Sequence, residues 1–134
     1  MADTFVLFDD VQYCPKDYQN RNQIWSAHGP MWLTVPVHHA RQTKIKDVQI
    51  NTTLPWQRKH WKSLEQSYHK AAYFNLYAPG FHMFYERPWE KLVDLNHAML
   101  NYFLEALAIR VRYLRASDFA FAGTKSDLVL DMCQ

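Results

Sequence analysis

Glycine is scarce in this chain, with three in 134 residues. Phosphate-cradling loops, dinucleotide fingerprints and nucleophile elbows all need closely spaced glycines, so those chemistries are excluded. Cysteine is almost as rare: Cys14 and Cys133 stand at opposite ends of the chain and form neither a disulfide framework nor a zinc spacing. They read as free thiols in a reducing compartment. No apolar run approaches the roughly 18 residues of a membrane span. The N-terminus has no basic patch ahead of an apolar stretch, and Asp3, Asp9 and Asp10 interrupt any leader. Charge of one sign is also lacking. A net charge of +2 and a pI near 8.5 are too mild to imply a polybasic surface. A soluble, cytoplasmic protein is expected.

What the chain has in excess is aromatic mass, 16% of residues, on a globular background of 49% hydrophobic and 21% charged residues. Its length suits one domain over residues 1–134. The run TFVLF (4–8) predicts a strand covered on both faces, with Asp9 and Asp10 at its C-terminal end, where open α/β sheets gather ligands. Further strands are predicted around 22–26, after a His28-Gly29-Pro30 turn in MWLTVPV (31–37), in IKDVQI (45–50) and in VRYLRA (111–116). Asn51, Thr52 or Thr53 is expected to cap a helix over 54–70, with Trp61, Leu64 and Tyr68 on one face. A second helix is predicted over 73–85. A third, over 89–107, carries Leu92, Leu95, Met99, Phe103 and Leu107 at helical spacing and is expected to be the central packing helix. Thr124-Lys125-Ser126-Asp127 resembles a capping box that opens a last helix. The fold class is therefore α/β (or α+β): a small mixed sheet of about four strands against three to four helices. Apolar residues in the last helix and a strand almost at Met1 suggest a chain incomplete at both ends, with open edges through which it self-associates.

Polar groups concentrate in DDVQYCPKDYQNRNQIW (9–25). Paired aspartates at a strand end can act as a base, hold a cation or bind hydroxyls, or one can simply cap its own turn. Asn20, Arg21 and Asn22 can recognise a carboxylate, phosphate or amide, or can satisfy loop backbone groups. Seven histidines show no metal-ligand spacing, and His38 and His39 would diverge on a strand, so no metal is assigned and no cofactor is named. The run WQRKHWK (56–62) mixes rings with cations, as a single-stranded nucleic-acid site does. More often such a helix buries its rings and solvates Arg58, Lys59 and Lys62.

FVLFDDVQY (5–13) followed by YQNRNQI (18–24) resembles the WbqC-like family. The likeness continues through LTVPV (33–37), KHWKSLEQSYHKAAYF (59–74), WEKLVDLNHAML (89–100) and LRASDF (114–119). Members of that family are longer at both ends and are typically found among genes for O-antigen and other surface polysaccharides. The resemblance implies a cytoplasmic role in making or decorating activated sugars. Asp9, Asp10, Gln12, Asn20, Arg21 and Asn22 are expected to converge on one crevice, with Tyr13, Tyr18 and Trp25 as stacking neighbours. The leading expectation is a transferase of undetermined group acting on an activated sugar or acyl donor, with Asp10 as base and Arg21 as electrostatic clamp. Asp9, Gln12, Tyr13, Asn20 and Asn22 would contact substrate. The alternatives are a noncatalytic sugar- or partner-binding module of the same pathway and a single-stranded nucleic-acid binder, which the mild charge disfavours.

Overall fold

The computed structural model describes residues 4–119 together with 121, 127, 129 and 130. Within them the chain runs β1 (Thr4–Leu7), β2 (Arg21–Ser26), β3 (Gly29–Thr34), β4 (Val37–His38), β5 (Gln49–Ile50), α1 (Trp56–Tyr68), α2 (Phe74–Glu86), α3 (Leu92–Ala106) and β6 (Arg112–Arg115). The strands pair two by two: β1 parallel with β6, β2 antiparallel with β3, and β4 antiparallel with β5. The fold is mixed α/β, as expected, but three two-stranded sheets replace the single sheet of about four strands.

One cause lies in IKDVQI, which is not one strand. Ile45–Asp47 winds into a single 3-10 turn. At its start and just before it the chain bonds to the segment after β1, through Tyr13 N–H to Thr43 O (2.8 Å), Ile45 N–H to Val11 O (2.9 Å) and Lys46 N–H to Asp9 O (2.9 Å). Downstream, β5 pairs with β4 on one side and bridges Lys91 on the other. A straight strand cannot serve partners in both places, and the turn re-aims the backbone between them. The β2–β3 hairpin is the other cause. It turns through Ala27 and His28, with Gly29 at φ 105° just beyond, a conformation that glycine adopts without Cβ strain. The Ser26 hydroxyl accepts from the His28 N–H and donates to Gly29 O, closing the turn locally.

The core gathers Tyr13, Val48, Ile50, Trp56, Trp89, Leu92 and Leu95, all buried. Each fully buried aliphatic chain here contributes about 1.5–3 kcal/mol of transfer free energy. Trp89 keeps its polar edge satisfied by donating Nε1–H to Phe84 O at 2.8 Å. α3 is the central helix only in its first half: Leu92 and Leu95 are sealed, whereas Phe103 and Leu107 are 46% and 67% exposed. α1 begins at Trp56 without a side-chain cap, because Asn51 Oδ1 is occupied by the Thr53 N–H and hydroxyl one turn upstream. Strand β1 is not covered on both faces; Phe5 is 53% exposed, and β6 is its only strand partner among the described residues. The helix expected from Thr124, and Cys133, lie outside the described residues except for 127, 129 and 130. Among the described residues no helix is long and apolar enough to cross a membrane.

Candidate functional site

The QNRN segment enters β2, and its side chains form one wall of a cleft of about 530 Å³. The facing wall comes from α1, where Trp56, His60, Leu64 and Tyr68 recur every four residues and present one stripe. Tyr85 of α2 and Asn96, Met99 and Phe103 of α3 close the floor. A volume of this size, apolar below with a few convergent polar groups, is what a small-molecule site requires.

Several polar groups in the cleft are held by the chain itself. Asn20 donates Nδ2–H to Val35 O (2.9 Å), which fixes its amide orientation and leaves Oδ1 buried without a partner among the described residues. Arg21 donates to Lys16 O and lays its guanidinium over Trp32 at 4.4 Å, while its Nε is likewise buried and unpartnered. Asn96 donates to Gln19 O (2.9 Å). Tyr68 accepts the Trp25 backbone N–H (3.0 Å), tying α1 to β2 and leaving its own O–H free to donate. His60 is buried and its Nε2 lies 3.0 Å from Thr34 O, so the carbonyl selects the Nε2–H tautomer and Nδ1 keeps its lone pair. Burial holds this imidazole below its usual range, only partly offset by the Thr34 bond, so it is neutral at pH 7. Burial also pushes the Tyr85 hydroxyl up to about 12, leaving it a neutral donor.

The aspartates lie elsewhere. Asp9 is buried at the end of β1, where its carboxylate accepts the Ser117 N–H (2.9 Å) and hydroxyl (2.6 Å). It lines a second, smaller cavity of about 160 Å³ with Phe8, Asn96 and His97. Asp10 points the opposite way, to the ammonium groups of Lys46 (2.5 Å) and Lys44 (3.0 Å). Those contacts, Lys46 first, hold its carboxyl below the usual range, which favours a fixed charge over a proton acceptor near neutrality. Gln12 donates to Arg41 O (2.7 Å), and Tyr13 is a core residue packed on His39. Tyr18 and Trp32 pack together beside Arg21, and Trp25 is 69% exposed. The structure thus brings Asn20, Arg21 and Asn22 together and sets Asp9, Asp10, Gln12 and Tyr13 outside their cleft. Asn96 joins the two cavities, since it lines both.

Three residues of these cavities escaped the sequence reading: His60, Asn96 and His97. The four-residue stripe Trp56–His60–Leu64–Tyr68 is the signal that could have found the first. His97 takes hydrogen bonds from Arg115 at Nδ1 (Nε 3.0 Å, Nη2 2.6 Å), so Nδ1 carries no proton and the ring is the neutral Nε2–H tautomer. Burial first, then the Arg115 charge, lowers its pKa. In WQRKHWK, Trp56 and His60 turn inward and Arg58, Lys59 and Lys62 are left to solvent, which is the packing arrangement and not a base-stacking platform.

The uncharacterized protein Rv1507c of Mycobacterium tuberculosis is 34% identical over 136 residues, covering 99% of this chain and 58% of that protein. The chain therefore spans a little over half the length of the curated relative it matches. No solved structure matches it. The WbqC-like protein family matches from residue 1 to residue 134, in agreement with the DDVQ and QNRN motifs now placed on the fold, and the chain belongs to that family.

Proposed function

We propose that this protein is a transferase of surface-polysaccharide synthesis that binds an activated sugar or acyl donor in the 530 Å³ cleft. The observation that carries the reading is that the two buried side-chain polar atoms without partners among the described residues, Asn20 Oδ1 and Arg21 Nε, fall on consecutive residues of the cleft's own motif. Buried polar atoms are ordinarily paired, and one that the chain leaves unpaired is open to a partner from outside it, such as water, an ion or a ligand. Arg21 is the electrostatic clamp in this reading. His60, neutral with a free Nδ1 lone pair, takes the part of proton acceptor that the sequence reading assigned to Asp10, because the two lysines disfavour protonation of that carboxylate. The pathway itself rests on the family.

Thermal-shift titration with UDP-N-acetylglucosamine and with acetyl-pantetheine tests it. One class of donor is expected to raise the melting temperature of the wild type, and Arg21→Lys or Asn22→Ala is expected to remove that rise. If neither donor shifts the wild type, or if both variants respond as the wild type does, the cleft is not the donor site.

A further inference from the structure

A third cavity, of about 400 Å³, lies beside the same cleft, between the C-terminal half of α1, the first turns of α2 and the last turns of α3. The two share four wall residues, Leu64, Tyr68, Phe81 and Phe103, so they are neighbouring chambers, one with a partly polar lining and one apolar. The apolar chamber is built from rings and alanines. Tyr102, its principal polar candidate, donates its hydroxyl to Tyr77 O (2.8 Å) and leaves only its ring face to the cavity. Gly80 makes that placement possible, since a Cβ there would lie 2.8 Å from Tyr102 Cε2. Tyr68 stands at the junction, its oxygen turned to β2 and its ring forming part of both walls. The far mouth reaches solvent at Tyr73 and Leu107, 70% and 67% exposed. A sugar nucleotide has only its base to stack on these rings and no aliphatic chain to fill the chamber. An amphipathic donor has: amide and carbonyl groups beside Asn20, Asn22 and Asn96, and an unbranched hydrocarbon beside Trp61, Ala72, Ala78 and Phe81.

Building on the donor-site reading above, we propose that the donor is an acyl thioester, and that the apolar cavity takes its aliphatic chain and sets which chain lengths are accepted. Small residues at Ala72 and Ala78 leave the space that the chain occupies.

Calorimetric titration of the full chain with acetyl-, butanoyl-, hexanoyl- and octanoyl-pantetheine tests this. Affinity is expected to rise up to about fourfold per added methylene, from the transfer free energy of a CH₂ group, and to level off once the cavity is full. Ala78→Phe, inside the cavity, is expected to move that plateau to a shorter chain while leaving acetyl-pantetheine binding intact. Ala72→Trp adds bulk at an exposed position of the same wall and gives the same reading should the first variant fail to fold. Equal affinity for all four chains, or loss of every chain length alike in both variants, overturns the proposal. If UDP-N-acetylglucosamine binds in an Arg21-dependent manner and no acyl-pantetheine does, the donor-site reading stands and this inference falls. A dimer in sedimentation that buries Trp61 and excludes octanoyl-pantetheine would make a second copy the occupant, and also overturns it.

Discussion

The carboxylate of Asp9 accepts both the backbone N–H and the hydroxyl of Ser117, 108 residues further along the chain. This pair closes the C-terminal ends of the parallel strands β1 and β6, where no hairpin can hold them together. Removing the carboxylate leaves two part-buried donors unpaired. Asp9→Ala is expected to cost about 3 kcal/mol, within the range for charge-assisted bonds, and Asp9→Asn, which keeps one acceptor, about half of that. Denaturant midpoints at constant m value measure both, and a loss confined to turnover in a folded Asp9→Ala protein would reassign the residue to chemistry.

Asp10 behaves differently, because its partners sit at the surface. Its carboxyl is held below the ordinary 3.8 by Lys46 and Lys44. The stabilisation is therefore fully present above that ordinary value and is lost as pH falls through the lowered folded one. Lys46 is raised above 10.5 by the same pair, so on the alkaline side the benefit persists below that value and fades as pH rises through the raised one. The difference in stability between wild type and Asp10→Asn is expected to be small at pH 7, to vanish at both extremes and to shrink in molar salt.

Two neutral histidines make the fold acid-sensitive at milder pH. The imidazoles of His60 and His97 both have folded values below the ordinary 6.5. The unfolded chain binds more protons between the folded value and 6.5, so stability is full above 6.5 and declines as pH falls through that window. His60→Gln and His97→Gln keep a side-chain donor or acceptor without the titration. Together they are expected to flatten the slope of unfolding free energy against pH below 6.5. A slope unchanged in the double variant would place the acid sensitivity elsewhere.

Gly80 sits in the middle of α2, where alanine is ordinarily better by about 1 kcal/mol. Its Cβ would lie 2.8 Å from the Tyr102 ring, so Gly80→Ala is expected to destabilise by about 1–2 kcal/mol, overpacking outweighing propensity. Combining it with Tyr102→Leu should recover most of the loss. A more stable single variant would show that Tyr102 moves aside freely.

Local pattern was enough to read the three described helices and the strand-turn-strand of β2 and β3, because periodicity and turn residues act within a few residues of chain, although β3 spans Gly29–Thr34 and not 31–37. The QNRN motif was legible for the same reason, since three polar side chains in a row must find partners nearby or from a ligand. What tertiary structure alone decided is where those groups face. Asp9 and Asp10 are neighbours in sequence, yet where the chain bends after β1 one turns into Ser117 and the other out to two lysines. IKDVQI has the composition of a strand, but its two halves bond to segments lying in different directions, and only the assembled fold shows that a 3-10 turn must stand between them. His60, Tyr85 and Asn96 come from three separate helices, and no spacing along the chain brings them to one cleft. Helix packing does, through side-chain volumes such as the absent Cβ of Gly80 that are felt only when two surfaces meet.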